Sequence, residues 1–420
     1  MSPQVRPVAR GVRVDPDRLR ARIDALAAVS PIPGGGSCRL ALTDDDRDGR
    51  DLVRTWMIDL GLDVTIDGVG NMIGTWRCSD DAPVLTGSHI DTVRTGGRYD
   101  GNYGVLAGLE VIETLMAAGL TPKRPLAVGV FTNEEGARFQ PDMLGSLVYV
   151  GGMSLESALD AVAIDGARLG DELDRIGYAG AAPCPARPPH AFVELHIEQG
   201  PILEAEGFVI GAVEGVQGIS WQEVTITGQS NHAGTTPMRL RHDPAYVAAR
   251  ITVFLRELAR SMGGDQVCTV GKVDLAPNLV NVVPARATLT LDVRNTDESL
   301  LQRAEADIAR FLTTVADEEG VVIETRSLAR FEPVVFDPSM IDLVESIAVQ
   351  HGHRVKRLPS GAGHDAQMLA RVCPTSMIFV PSHKGISHNP AEHTDDADLI
   401  AGADVLLDAM WTLANTGGEQ

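Results

Sequence analysis

Apolar positions recur along the chain with two rhythms, and their alternation predicts most of its elements. A first helix spans Asp15 to Ala28, with Asp15 as N-cap and Pro16 at the first helical position, and the loop SPIPGGGS follows. The pattern then reads helix (44–60), strand (63–66), strand (71–76), strand (83–88), helix (104–118) and strand (125–132), with glycine or proline at the joins. In helix 104–118 the residues Val105, Leu106, Leu109, Ile112, Leu115 and Met116 fall at helical spacing and place a broad apolar stripe on one side. Strands alternating with helices predict an α/β architecture.

The rhythm changes between residues 216 and 330. There the pattern gives strand 219–227, helix 243–262, strand 266–274, strand 286–294, helix 298–320 and strand 321–327. That βαββαβ order is a complete ferredoxin-like unit able to bury its own core, so it reads as a domain inserted into another. After RFEP the first rhythm returns with helix 338–351, strand 354–358, helix 364–371, strand 375–380 and helix 396–415. Segments 1–215 and 331–420 therefore form one discontinuous α/β domain, and 216–330 forms the insert. The two short crossings, GVQG and ARFEP, make a natural hinge.

Composition narrows the function classes. A chain of 420 residues exceeds the ~250 to 300 at which single cores stop growing, which agrees with two domains. The net charge of −21 and the lack of any Lys/Arg cluster argue against a nucleic-acid partner or an anionic membrane surface. Cys38, Cys78, Cys184, Cys268 and Cys373 are odd in number and show no CxxC spacing, which argues against a disulfide framework or thiolate site and for a reducing cytoplasm. The opening residues lack the apolar stretch of an export signal, and no apolar run reaches the ~18 residues of a membrane span.

Four apolar strands end in residues suited to metal chemistry. PVLTGS runs into His89 and Asp91, which lie two apart, so in an extended chain Asp91 stands on the same side as His89 and can hold its ring. Asp100 follows through a glycine-rich turn. PLAVGVFT ends in NEEG, bringing Glu134 and Glu135; AFVELHI brings His196, with Glu198 and Gln199 after it; TSMIFV leads to SHKGISHNPAEHT. In α/β sheets, functional groups gather at the carboxyl ends of strands. Imidazoles with carboxylates and no thiolate suit Zn²⁺, with Mn²⁺, Co²⁺ or Ni²⁺ as alternatives. Five such ligands, one an aspartate able to bridge, suit two ions about 3.5 to 4 Å apart. One of Glu134 and Glu135 is then left to act as base.

The motifs GSHIDTVRTGGRYDG, NEEGARF, ELHIEQGP, SNHAGTTPM, PNLVNVVP, LDVRNTD, SGAGHDAQM and SHNPAEHT resemble, in order and spacing, the M20 metallopeptidase superfamily. The resemblance is to its amidase branch of N-carbamoyl-L-amino-acid hydrolases, allantoate amidohydrolases and β-ureidopropionases. It implies that His89 and His196 bind one ion, Glu135 and His388 the other, and Asp100 bridges them. It also implies that Glu134 is the general base and that Asp91 supports His89. His196 fits the amidase branch, since peptidase members commonly carry a carboxylate there. By the same resemblance, Gln199, His232, Asn281, Arg294 and the loop Gly361, Ala362 and Gly363 contact substrate, and the insert closes over it and forms a homodimer. Arg294 can grip an α-carboxylate, and His232 can stabilise a developing oxyanion. Many relatives have EEEG where this chain has NEEG, with Asn133 in place of the first glutamate. His383 and His393 read as surface or supporting residues, because SHN is the matching triplet.

The expected activity is binuclear amidohydrolysis of an N-carbamoyl-L-amino acid or related ureide, releasing ammonia and CO₂. A dipeptidase or aminoacylase of the same superfamily is the nearer alternative, opposed by HIEQG. A non-catalytic ureide-binding protein is the other, opposed by a base such as Glu134, which binding does not need. No GxSxG supports serine catalysis.

Overall fold

The computed structural model describes residue 8 and residues 11–416. Two compact units are present, one of residues 1–215 with 335–420 and one of residues 216–334. The chain is a mixed α/β protein, and no helix among the described residues is long and apolar enough to cross a membrane.

The first unit is built on a large mixed sheet. At its centre, strands Leu126–Phe131, Val84–His89, Ala191–Ile197 and Thr375–Val380 lie side by side in that order and run parallel. Every residue in these strands is buried, as expected of parallel strands covered on both faces. All four carboxyl ends therefore open at one edge of the sheet.

Helix Asn102–Ala117 departs from the one-sided stripe expected of it, since all but three of its residues are buried. It packs on the strands, on helix Pro16–Ala27 and on helix Asp396–Asn415. Its buried Glu110 is paired with Arg18 at 2.5 Å and Arg22 at 3.3 Å, which offsets the charge it carries into the interior. The helix expected over 364–371 is only Asp365–Leu369. Pro374 disfavours helical geometry in the residue before it, and the strand begins at Thr375. Helices Leu144–Tyr149, Leu155–Leu159 and Leu169–Ile176 and strand Ile210–Val216 were not expected; the helices are too short for periodicity to register.

The second unit holds an antiparallel sheet in the order Val322–Phe331, Gly218–Thr227, Arg286–Asn295, Val267–Ala276. Helices Pro244–Met262 and Glu298–Glu319 lie against it, and Val224, Ile226, Ile251, Leu255, Leu289, Leu291, Ile308 and Leu312 form its core. Asp243 and Asp297 cap the two helices, accepting from Ala245 and Leu300 amides respectively.

Candidate metal centre

His89 ends its strand fully buried, and its Nδ1 donates to the Asp91 backbone carbonyl at 2.8 Å. That bond fixes the tautomer, because a carbonyl only accepts, and leaves the Nε2 lone pair free to coordinate. Burial, outweighing the nearby Asp100 charge, pulls the ring down to about 4, so it stays neutral. Asp91 meets His89 as expected, though through its main chain and not its side chain. It is the carbonyl that holds His89, while the carboxylate accepts from the amides of Glu134 and Glu135 at 3.3 and 3.4 Å and so shapes the NEEG turn. Two backbone amides at that turn outcompete an imidazole already served by the main chain. Burial and then the Asp46 charge push Asp91 up to about 7.

Asp100 stands at the middle of the site. Its Oδ1 lies 3.7 Å from His89 Nε2 and 3.3 Å from His196 Nε2, and its Oδ2 lies 3.3 Å from His388 Nε2. Burial would raise this carboxyl, but the His196 and His388 rings outweigh it and hold Asp100 well below the usual carboxylate range. Gly101 follows with φ +66°, and a Cβ there would come within 2.4 Å of the His89 ring, so the turn admits only glycine. The Gly101 amide donates to His196 Nε2 at 3.0 Å, while His196 Nδ1 donates to the Ile197 carbonyl at 2.8 Å. Against the pull of burial, Asp100 and Glu194 push His196 up to about 9. With the Nδ1 proton given to the Ile197 carbonyl, the lone pair sits on Nε2, where a cation beside Asp100 would replace the Gly101 amide and answer the same negative field without a proton.

The NEEG turn delivers both glutamates. Glu134 Oε2 is 3.4 Å from His89 Nε2, and Glu135 Oε2 is 3.3 Å from His388 Nε2. Burial, reinforced by neighbouring carboxylates, raises both well above their ordinary values. Glu135 Oε1 and Gln199 Oε1 are buried with no hydrogen-bond partner. Orphaned acceptors of this kind are costly unless a cation or donor meets them. His388 has φ +53° and a half-exposed side chain.

Two candidate ligand groups result, His89 with Asp100 and His196, and Asp100 with Glu135 and His388; within each, ligand atoms lie within 4.8 Å of one another. They share Asp100. The donors are imidazole nitrogens and carboxylate oxygens with no thiolate, and with the orphaned Glu135 oxygen they fit divalent cations of the Zn²⁺ or Mn²⁺ class.

A third group, Glu194 with His196 and His364, went unread in the sequence. Glu194 is two residues before His196 on the same strand, and that spacing was the available signal. Its oxygens already accept from Ser88 Oγ at 2.6 Å and the Ala366 amide at 2.8 Å. The His364 ring packs edge-on to His196, with centroids 4.6 Å apart, and bonds Ser360 Oγ at 2.9 Å.

A buried ion pair and a second buried arginine back the site. Arg50 and Asp46, both without exposed side-chain surface, pair at 2.8 Å, and Arg50 also donates to the Gly70 carbonyl and Thr132 Oγ1. Arg39 donates to the Ile90 carbonyl and Asn102 Oδ1, next to His89 and Gly101. Arg50→Ala is expected to destabilise the fold by about 3 to 5 kcal/mol in urea unfolding, because Asp46 is left as an uncompensated buried charge.

Among the residues expected to contact substrate, Gln199 stands at the centre, its Nε2 donating to Asp100 Oδ2 at 2.9 Å. The loop Gly361 to Gly363 is folded on Ser360, whose Oγ bonds the Ala362 carbonyl and amide. In the other unit, exposed His232 pairs with Val282 across a short ladder, and the Ala233 amide donates to the Asn281 carbonyl, so His232 and Asn281 come together. Arg294 does not join them. It closes the far end of strand Arg286–Asn295, eight residues or roughly 26 Å from Arg286 at about 3.3 Å per residue. There it is held by the Asp292 carboxylate at 2.8 and 2.9 Å and lies over the Trp221 ring. His383 and His393 are exposed and bonded to Glu204 and Asp395.

Known proteins resemble this chain over nearly its whole length. Residues 85–412 match peptidase family M20/M25/M40. The chain is 42% identical to an N-carbamoyl-L-amino-acid amidohydrolase of Rhizobium meliloti, over 95% of this chain and 96% of that one. It is 36% identical to an allantoate amidohydrolase of Escherichia coli, over 93% and 96%. Among solved structures, an amidase of the hydantoinase/carbamoylase family from Burkholderia multivorans superposes with a TM-score of 0.93 at 44% identity, covering 96% of this chain and 98% of that one.

Proposed function

For a chain that belongs to peptidase family M20/M25/M40, we propose the activity of a binuclear metal-dependent amidohydrolase that cleaves the carbamoyl or ureido C–N bond of an N-carbamoyl-L-amino acid or related ureide. The observation that carries this reading is the convergence of His89, His196, Glu135 and His388 on the two oxygens of one buried Asp100, beside a glutamate in neither ligand group. Relatives named for carbamoyl amino acids and allantoate, matched over nearly their whole length, support the substrate class.

In this reading, His89, His196 and Asp100 hold one divalent cation, and Asp100, Glu135 and His388 hold the other. Such a pair, when bound, polarises the ureido carbonyl and acidifies a water. Glu134 accepts a proton from the attacking water and delivers it to the leaving nitrogen as the C–N bond breaks. For an N-carbamoyl amino acid, one water is consumed and the products are the amino acid, CO₂ and ammonia. Gln199 orients the ureido group. Arg294, already fixed by Asp292 and Trp221, pairs with the α-carboxylate, and His232 stabilises the oxyanion.

His232 stands beside Asn281, on the side from which the chain enters strand Arg286–Asn295, whereas Arg294 stands near that strand's other end, and this separation bears on assembly. The strand from Arg286 to Arg294 alone covers roughly 26 Å, more than a small ureide spans, so if both side chains act on one substrate they come from two copies of the chain. We therefore propose a homodimer formed through the unit of residues 216–334, which also closes over the substrate. Sedimentation of the purified protein as a monomer at all concentrations would contradict it. Arg294→Lys is expected to raise KM about 10- to 100-fold with a smaller change in kcat, since a charged bidentate contact is worth about 1.5 to 3 kcal/mol and lysine cannot make it.

The test of the activity is ammonia release by Zn²⁺- or Mn²⁺-loaded protein over N-carbamoyl-L-amino acids, allantoate and 3-ureidopropionate, run beside dipeptides and N-acetyl amino acids. Turnover confined to the last two groups would sink this reading.

A further inference from the structure

Glu392 belongs to neither ligand group, yet it joins the two loops that supply Asp100 and His388. Its side chain is buried, with Oε1 accepting from the amides of Tyr99 at 2.9 Å and Asp100 at 3.2 Å, and Oε2 accepting from Ser387 Oγ at 3.0 Å. Its seat is cut to fit, because a Cβ on Gly97 would lie 2.0 Å from Oε1. A second tie runs from Thr95 Oγ1 to the His388 carbonyl at 3.1 Å.

The Ser387 hydroxyl is where this arrangement bears on the cations. It stands 3.0 Å from Glu392 Oε2 and 3.2 Å from Asp100 Oδ2, and it has one hydrogen to give. Asp100 Oδ2 also lies 3.3 Å from His388 Nε2. Gln199 Nε2 already donates to this oxygen at 2.9 Å, so a hydroxyl hydrogen directed there as well would occupy the lone pair left for a cation.

We propose that Glu392 is a positioning residue of the metal centre: it holds the Tyr99 and Asp100 amides and draws the Ser387 hydrogen onto its own carboxylate, keeping Asp100 Oδ2 open to the cation shared with Glu135 and His388. This rests on the proposed binuclear reading, and the test separates the two. Glu392→Gln keeps an acceptor for both amides but presents an NH₂ group to Ser387, which turns the hydroxyl hydrogen toward Asp100.

The experiment is calorimetric titration of the full-length metal-free protein with Zn²⁺ or Mn²⁺, together with metal content after desalting and thermal melting of the metal-free form. Wild type binds two ions. Glu392→Gln melts like wild type without metal, binds one ion with unchanged affinity and binds the other about 10- to 100-fold more weakly, the range seen when groups supporting a ligand are changed. Adding Ser387→Ala to that variant restores the weakened ion, and Ser387→Ala alone binds both ions like wild type. A merely structural Glu392 would show no such restoration. Unchanged ion binding in Glu392→Gln, no recovery in the double variant, or weakened binding in Ser387→Ala alone overturns the proposal. Fewer than two ions in wild type overturns the binuclear reading itself, and this proposal with it.

Discussion

Glu134→Gln is expected to lower the turnover of ureides by about 100- to 10,000-fold, the contribution of a positioned general base. The amide matches the carboxylate in shape but cannot accept the proton of the attacking water. Protein structure should survive the change. Burial first, and then the charges of Asp365, Glu135, Asp100 and Asp91, raise Glu134 well above its ordinary value. A carboxyl raised on folding destabilises the native state as pH climbs from its unfolded value through its folded one. Removing that charge should therefore leave the metal-free variant at least as stable as wild type at neutral pH. The same ionisation sets a limb in the pH profile. Wild-type kcat/KM rises as Glu134 loses its proton, and the glutamine variant lacks that limb. Steady-state ammonia release across pH, beside thermal melts, checks all three statements; undiminished turnover in Glu134→Gln would remove the base from the mechanism.

Glu134 and the five candidate ligands were legible in the sequence for a simple reason. Each sits at or just beyond the carboxyl end of an unbroken apolar strand, or in a glycine-rich or SHN turn, and parallel strands bring such ends to one edge. The large sheet was legible in the same way. What escaped the sequence depended on main-chain geometry. The Asp91 carbonyl, rather than its carboxylate, holds His89, because the NEEG amides capture the side chain. Glu110 is buried against Arg18 and Arg22, which come from 92 and 88 positions away, and helical periodicity cannot report such partners. Glu392 lies in a quoted motif, but its partners Tyr99 and Asp100 are 293 and 292 positions distant, and no periodicity reports that. Short helices such as Leu155–Leu159 bury too few residues to leave a helical pattern.

Asp100→Asn is expected to disable the centre more completely than loss of any imidazole. Each histidine serves one of the two groups that share Asp100, whereas Asp100 itself faces His89 and His196 with Oδ1 and His388 with Oδ2. Near a protein surface, two unit charges about 4 Å apart interact with about 4 kcal/mol. Forfeiting even one such attraction, at about 1.4 kcal/mol per decade, corresponds to about 1,000-fold in ion affinity. Asparagine keeps the volume and can still accept from Gln199, so the loop should hold its place while the charge shared by the two proposed cations is gone. The variant should retain at most one ion after desalting, show no measurable ureide turnover, and regain none with excess Zn²⁺ or Mn²⁺. His388→Ala, by contrast, should keep the ion held by His89 and His196. Metal analysis of the two variants side by side decides the matter: two tightly held ions in Asp100→Asn would mean that this carboxylate does not bridge them.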